Sequence, residues 1–304
     1  MRFAFIAEVA DEQRLLPAGV RFPVDFMCRA LGVSRQGYYA WLTRPPSARC
    51  KQDAELAERI RELHVDRHKG RAGIERITWD LAEEGTRTSE RRVRRLARAN
   101  GLKCVHPGPS ARTTIRDGAA RPGLVDLVDR DFTAEAPDQL WVGDITYIWT
   151  LSGFTYLATL IDMFSNRVVG WAVADHMRTS LVLDALDSAL AGRNPEIGEL
   201  IIHHDRGSQY TSNEYRDRLF AAGIIPSVGH TGICYDNAAA ESFNATIKKE
   251  LIYQHVWRDV DEVRTAVFDY IERYYNRVRK QRRLRRMSPA SYETAFDKRE
   301  EYAA

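Results

Sequence analysis

The chain has 304 residues, 44% hydrophobic and 29% charged, with a net charge of +3, which is ordinary for a protein of two or three globular domains. No apolar run approaches the ~20 residues of a membrane span. The four cysteines (Cys28, Cys50, Cys104, Cys234) form no C-x-x-C, which speaks against a thiolate zinc site or a disulfide framework. The N-terminal MRFAFIAEVADEQRLLP reaches Glu8, Asp11 and Glu12 before any signal-peptide core could form, so the expectation is a soluble cytoplasmic protein.

In chain order, FPVDFMCRALGVSRQGYYAWLTRPP reads as two short helices. Val24, Met27, Cys28 and Leu31 have helical spacing, Gly32 breaks the first helix, Ser34 caps the second, and Pro45-Pro46 stops it. Helix, glycine turn, helix is the outline of a helix-turn-helix. DAELAERIRELHVDR and GIERITWDLAEEG are two further helices, and TSERRVRRLARANGL is a third, capped by Thr88 or Ser89. In that last helix Val93 and Leu96 point inward, while Arg91, Arg92, Arg94, Arg95 and Arg98 form an outer face suited to a DNA groove. HPGPSARTTIRDGAARPG has linker composition.

The texture then changes. QLWVGDITYIWT, FTYLATLIDMF and NRVVGWAVADH read as three strands, followed by the helix SLVLDALDSALAG. ELIIHHD is a strand apolar on both faces and so internal to a sheet. TSNEYRDRLFAAG is a helix, IIPSVG a short strand, DNAAAESFNATIKKELIY a helix, and DVDEVRTAVFDYIERYYNRVRKQRR a long final helix. Three meandering strands followed by α-β alternation predict an α/β mixed sheet with helices on both faces, preceded by an all-α helix-turn-helix region. The expected divisions are 1–48 and 49–105 (helical), 106–135 (linker), 136–256 (catalytic core) and 257–304 (basic helix and tail).

Charge is unevenly placed. Residues 87–121 hold ten basic side chains against two acids, and residues 273–286 hold eight basic side chains and no acid. Two one-sign blocks in a nearly balanced chain point to a polyanion, and Arg279, Lys280, Arg282 and Arg283 are the phosphate contacts expected in the second block.

Three acids stand out by position. Asp144 lies mid-way along the first strand, Asp205 ends the fourth, and Glu241 opens the helix after the fifth. With the first and fourth strands side by side these carboxylates can converge. Three hard oxygen donors from separate elements can hold two Mg²⁺ ions, with Mn²⁺ as a substitute, for phosphodiester chemistry. A single acid is more often merely solvated, and Asp162 is expected to serve a turn. His203 and His204 are not expected as ligands beside carboxylates that suit magnesium. Asp236 and Asn237 are read as a helix cap, and Tyr270, Tyr274 and Tyr275 as packing.

WVGDITYI around Asp144, HHDRGSQYTS around Asp205 and YDNAAAESFNATIKKEL around Glu241, with 35 residues between the second and third acids, resemble the DDE transposases of the retroviral-integrase superfamily. The likeness is to the OrfB type of insertion sequences of the IS-three kind, and it extends over nearly the whole chain. It implies an RNase H-like core, a metal triad of Asp144, Asp205 and Glu241, and Lys248 as a DNA-end contact. It further implies a circular intermediate, DNA partners (element ends and target), a homo-oligomer on DNA, an upstream-frame OrfA-type protein, and a bacterial, nucleoid-associated setting. His204 stands where the family usually has Ser, and would offer a donor near the phosphate. Two rival functions are a transposition regulator with a dead catalytic domain and an RNase H-like nuclease that cuts without joining.

Overall fold

A computed structural model describes residues 1–103, 125–129, 131–229 and 238–303. The chain opens with α1 (Arg2–Glu12), α2 (Val24–Ala30) and α3 (Arg35–Leu42). Gly32 makes the turn between α2 and α3 at φ +63°, and the Ser34 hydroxyl accepts from Gly37 N to cap α3. Helix α1 is an addition to the elements expected from the sequence. Its Ile6 is fully buried against Met27, Cys28 and Tyr38, so the apolar start is the third wall of this small core.

The second helical unit is α4 (Ala48–Glu62), α5 (Ile74–Glu83) and α6 (Glu90–Ala99). Leu56 and Ile60 of α4 meet Ile77 and Leu81 of α5 and Val93 and Leu96 of α6. Of the two expected caps for α6, Ser89 serves, accepting from Arg92 N. α4 runs into a π-helical turn, Leu63–Arg67, which ends at His68.

β1 (Leu140–Thr150), β2 (Gly153–Asp162), β3 (Val168–Ala174), β4 (Ile201–His204) and β5 (Ile225–Val228) form one sheet in the order β3-β2-β1-β4-β5. The first three strands are antiparallel, and β4 runs parallel to both β1 and β5. α7 (Thr179–Gly192) and α8 (Asn213–Ala221) cover one face through Leu181, Leu186, Tyr215 and Leu219. The backbone of α7 comes so close to β3 that a Cβ on Gly170 would lie 2.3 Å from Ala185 O. α9 (Ala238–Glu250) and α10 (Val260–Phe268) cover the other face.

The C-terminal part departs from expectation. The helix expected to run to Arg283 passes into a π-helical turn at Asp269–Tyr275 and then leaves helical geometry; a further helix, α11 (Pro289–Ala303), follows. Val263, Val267, Tyr270 and Ile271 join the same hydrophobic cluster as Phe243 and Ile247 of α9, so the core does not stop at residue 256. The linker's central part, 106–124, lies outside the described residues. No described helix is long and apolar enough to cross a membrane.

Candidate active site

The sheet register brings the first two acids together. Gly143 pairs with His204 across the parallel β1–β4 ladder, so Asp144, the next residue of β1, stands beside Asp205, the first residue after β4. Asp205 is exposed, and its Oδ1 accepts from Gly207 N at 2.9 Å, which turns the following loop back over it. That loop is pinned by Arg206 Nε donating to Gly229 O and Gln209 Nε2 donating to Met177 O. Glu241 lies in the first turn of α9, and Asn244, nearly one turn on, donates to Asp144 Oδ2 at 2.8 Å. Asn244 therefore ties the helix carrying the third acid to the strand carrying the first.

Electrostatics record the convergence. The Asp144 carboxyl is pushed up to about 7, first by burial and then by the charge of Asp205, with Glu241 adding to it. Hydrogen bonds from Ile145 N and Asn244 work the other way and are outweighed. The acids sense one another without forming a closed shell: among the described residues no three His, Cys, Asp or Glu side chains are grouped closely enough to hold a metal ion. The donor set still fits a hard divalent cation, because every candidate ligand is a carboxylate oxygen and added positive charge would favour the ionised form of Asp144. Asn244 Nδ2 is the atom that meets Asp144, and its Oδ1 is buried with no hydrogen-bond partner.

The histidines are occupied elsewhere. His203 Nδ1 lies 2.9 Å from Ser227 Oγ. His204 is buried, stacks on Tyr210 at 4.3 Å between centroids, and has Nε2 3.0 Å from Tyr215 Oη. Burial, with His203 adding, pushes its pKa down to about 3, so it stays neutral and packs the base of the loop. This corrects the expectation of a donor at the phosphate. Asp162 holds a turn, accepting from Asp138 N and Ser165 N. Asp236 and Asn237 lie outside the described residues.

Residues 134–234 and 222–289 match family models described as integrase core domain, and residues 51–110 match an HTH-like domain. A transposase for insertion sequence element IS629 of Shigella sonnei is 39% identical, covering 91% of this chain and 93% of its own. A transposase for insertion sequence element IS904 of Lactococcus lactis is 38% identical over 82% of this chain and 98% of its own. Transposase InsF for insertion sequence IS3A of Escherichia coli is 34% identical over 90% and 94%. The chain belongs to the insertion-sequence transposases of the integrase superfamily. Among solved structures, the HTLV-2 integrase catalytic core domain aligns over 53% of this chain and 99% of that chain, at 16% identity and a TM-score of 0.42.

The transposase's basic side chains divide into two groups. On α6, Arg91, Arg94, Arg95 and Arg98 are exposed, with Arg94 4.0 Å from Glu90, and Arg95 and half-buried Arg92 both bind Asp53 of α4, at 2.6 and 2.8 Å. In the second block, Arg279 and Lys280 are not free for phosphate, contrary to the sequence expectation. Arg279 pairs with buried Glu250 at 3.0 Å, and Arg76 of α5 reaches the same carboxylate at 3.2 Å. Lys280 Nζ lies 2.6 Å from Asp80 Oδ1, inside the α5 contact, and also meets Glu83. Arg282 is exposed beside Glu75, and Arg283 donates to Met163 O and Asn166. Lys248 is half-buried, with its ammonium 5.3 Å from the Tyr147 ring centroid. Tyr270, Tyr274 and Tyr275 are buried, as a packing role requires.

Proposed function

We propose that Asp144, Asp205 and Glu241 hold two Mg²⁺ ions, which Mn²⁺ can replace, and that one site both cuts and joins DNA. Water attacks the phosphodiester at an element end, the P–O3′ bond breaks, and the freed 3′-OH then attacks a second phosphodiester in line, forming a new P–O bond as that strand's own P–O3′ bond breaks and its 3′-oxygen leaves as a hydroxyl. When bound, the ions would supply stabilisation of charge on the attacking and leaving oxygens. The chain's own part is to bring Asp144 of β1, Asp205 just past β4 and Glu241 of α9 towards one another, with Asn244 fixing the angle of Asp144 and the Asp205–Gly207 hydrogen bond fixing the loop. No side-chain nucleophile is needed, since water and the 3′-OH attack in turn. The observation that carries this reading is geometric: the Gly143–His204 pairing sets Asp144 next to Asp205, and the Asn244–Asp144 hydrogen bond ties the Glu241 helix to the same point.

The partners of this reading are the terminal inverted repeats and target DNA, bound by a homo-oligomer of the chain, with an upstream-frame OrfA-type protein assisting in the bacterial cytoplasm. Exposed Arg91, Arg94 and Arg98 are proposed to meet the element end, and Lys248 the phosphates nearest the cut. The test is a gel of labelled end duplexes incubated with the purified chain. Cut and joined products are expected with Mg²⁺ or Mn²⁺, and binding without turnover with Ca²⁺, which is larger and less exacting in geometry. Cut products without joined ones would favour the nuclease reading; neither, with binding intact, would favour the inactive regulator.

A further inference from the structure

The strand that carries Asp144 continues past its neighbour. β4 pairs with β1 only as far as Gly143, whereas β1 runs to Thr150, paired on its other side with β2. From Asp144 onward the β1–β2 hairpin is thus a ledge that leads away from Asp144 and leaves one edge of β1 open. Its two faces differ. Thr146, Ile148 and Thr150 are buried, with Ile148 in the cluster under α9. Tyr147, Trp149 and Phe154 point the opposite way, beyond the reach of α7, whose cluster takes in Trp141, Ile145 and Tyr156. Trp149 is 63% exposed and Phe154 48%, although their rings pack edge-on at 4.9 Å and Phe154 meets Tyr147 at 5.6 Å.

The ledge is rigid and carries a cation. Leu151 N and Ser152 N donate to Trp257 O and Arg258 O, so the hairpin tip is tied down while the rings stay open. Lys248, on the helix that bears Glu241, sits over the Tyr147 ring. Preordered aromatic faces beside a cation are what a nucleobase stacks on, and such stacking tolerates any base.

We propose that this ledge, Tyr147, Trp149 and Phe154 with Lys248, binds unpaired nucleobases of the DNA strand next to the cut. The proposal rests on the reading of the acids as the cutting site. At ~3.3 Å per strand residue, Tyr147 and Trp149 lie roughly 10 and 17 Å along the strand from Asp144 and on the other face of the sheet, with Lys248 of α9 reaching the Tyr147 ring between them. At about 3.4 Å per stacked nucleotide, a strand rounding the open edge of β1 would need at least about three to five nucleotides from the scissile phosphate. A melted end laid on the rings would keep the reacting strand from re-pairing.

The test uses the full chain with Ca²⁺, a fluorescein-labelled oligothymidylate of about 12 nucleotides and a duplex of equal length, followed by anisotropy. Trp149→Ala/Phe154→Ala should weaken the single strand about tenfold or more, leave the duplex within about twofold, and be rescued by Trp149→Phe. In Mg²⁺ the same double variant should cut a fully paired end slowly and regain rate on an end whose last five pairs are mismatched. Unchanged single-strand affinity, or equal loss for single strand and duplex, overturns the proposal. So does a change of oligomeric state on sedimentation, which would make the ledge a contact between copies. Asp144→Asn should bind the single strand normally and cut nothing. If the unaltered chain cuts no end yet its single-strand binding depends on Trp149, the cutting reading fails and the ledge stands.

Discussion

Asp144 has the most displaced titration of the three candidate acids, and that displacement has a consequence for stability. Its folded pKa of about 7 lies above the ordinary 3.8, so below pH ~4 both states are protonated and the group's stabilising share is present in full. That share is lost as pH rises from about 4 through about 7, because the folded chain must then carry a charge on a half-buried acid that feels Asp205 and Glu241. A divalent cation opposes this loss. Adding Mg²⁺ should therefore raise the melting temperature more at pH 8 than at pH 5, and Asp144→Asn should remove most of the difference in a thermal-melt series. An equal Mg²⁺ shift at both pH values would show that the ion binds elsewhere. The three acids are legible in the sequence because motif and spacing mark them. Asn244 is not marked in that way, though its place three residues after Glu241 on a helix is an available signal. The role of His204 is hidden because nothing local shows that Tyr210 and Tyr215 close over it.

At the scale of elements, helical period locates α4, α5 and α6, and Ser34, Ser89 and Ser212 cap as capping chemistry requires. What the sequence hides is the destination of the arginines and lysines. Lys280 and Asp80 are 200 residues apart, and only the tertiary fold shows that each is the other's partner. Burial alone would raise the Asp80 pKa, but His68 at 2.5 Å and Lys280 outweigh it and hold the carboxyl below its ordinary value. Lys280→Ala would leave Asp80 buried and short of a cation, at a cost of about 3–5 kcal/mol in a denaturant melt. It should leave the salt dependence of DNA binding unchanged. Arg91→Ala and Arg98→Ala, by contrast, should hardly alter stability and should flatten that salt slope by about 0.9 for each phosphate the arginine had neutralised. A Lys280→Ala protein of normal stability with a reduced slope would return this lysine to the DNA-contact reading.

Across the whole molecule, alternation of strand and helix suffices to predict the mixed sheet, because each strand's apolar pattern is nearly local. The docking of the second helical unit on the catalytic domain is not legible, because it is made of pairs between distant segments. Its two π-helical turns face each other, with His68 Nδ1 3.3 Å from Tyr274 Oη and Lys69 Nζ 3.0 Å from Asp269. Arg71 lies over both Tyr270 and Tyr274, and Arg76, Arg279 and Glu250 complete the contact. These contacts hold the arginine face of α6 in a fixed relation to Asp144, Asp205 and Glu241. That these three carboxylates carry out both cutting and joining is tested most directly by Asp144→Asn, Asp205→Asn and Glu241→Gln. Each is assayed with Mg²⁺ on an intact end and on a pre-cut end bearing a 3′-OH, with end binding measured in parallel. Every variant is expected to lose cutting and joining together while binding stays within a few-fold. Near-normal joining by any one of them would contradict the shared site.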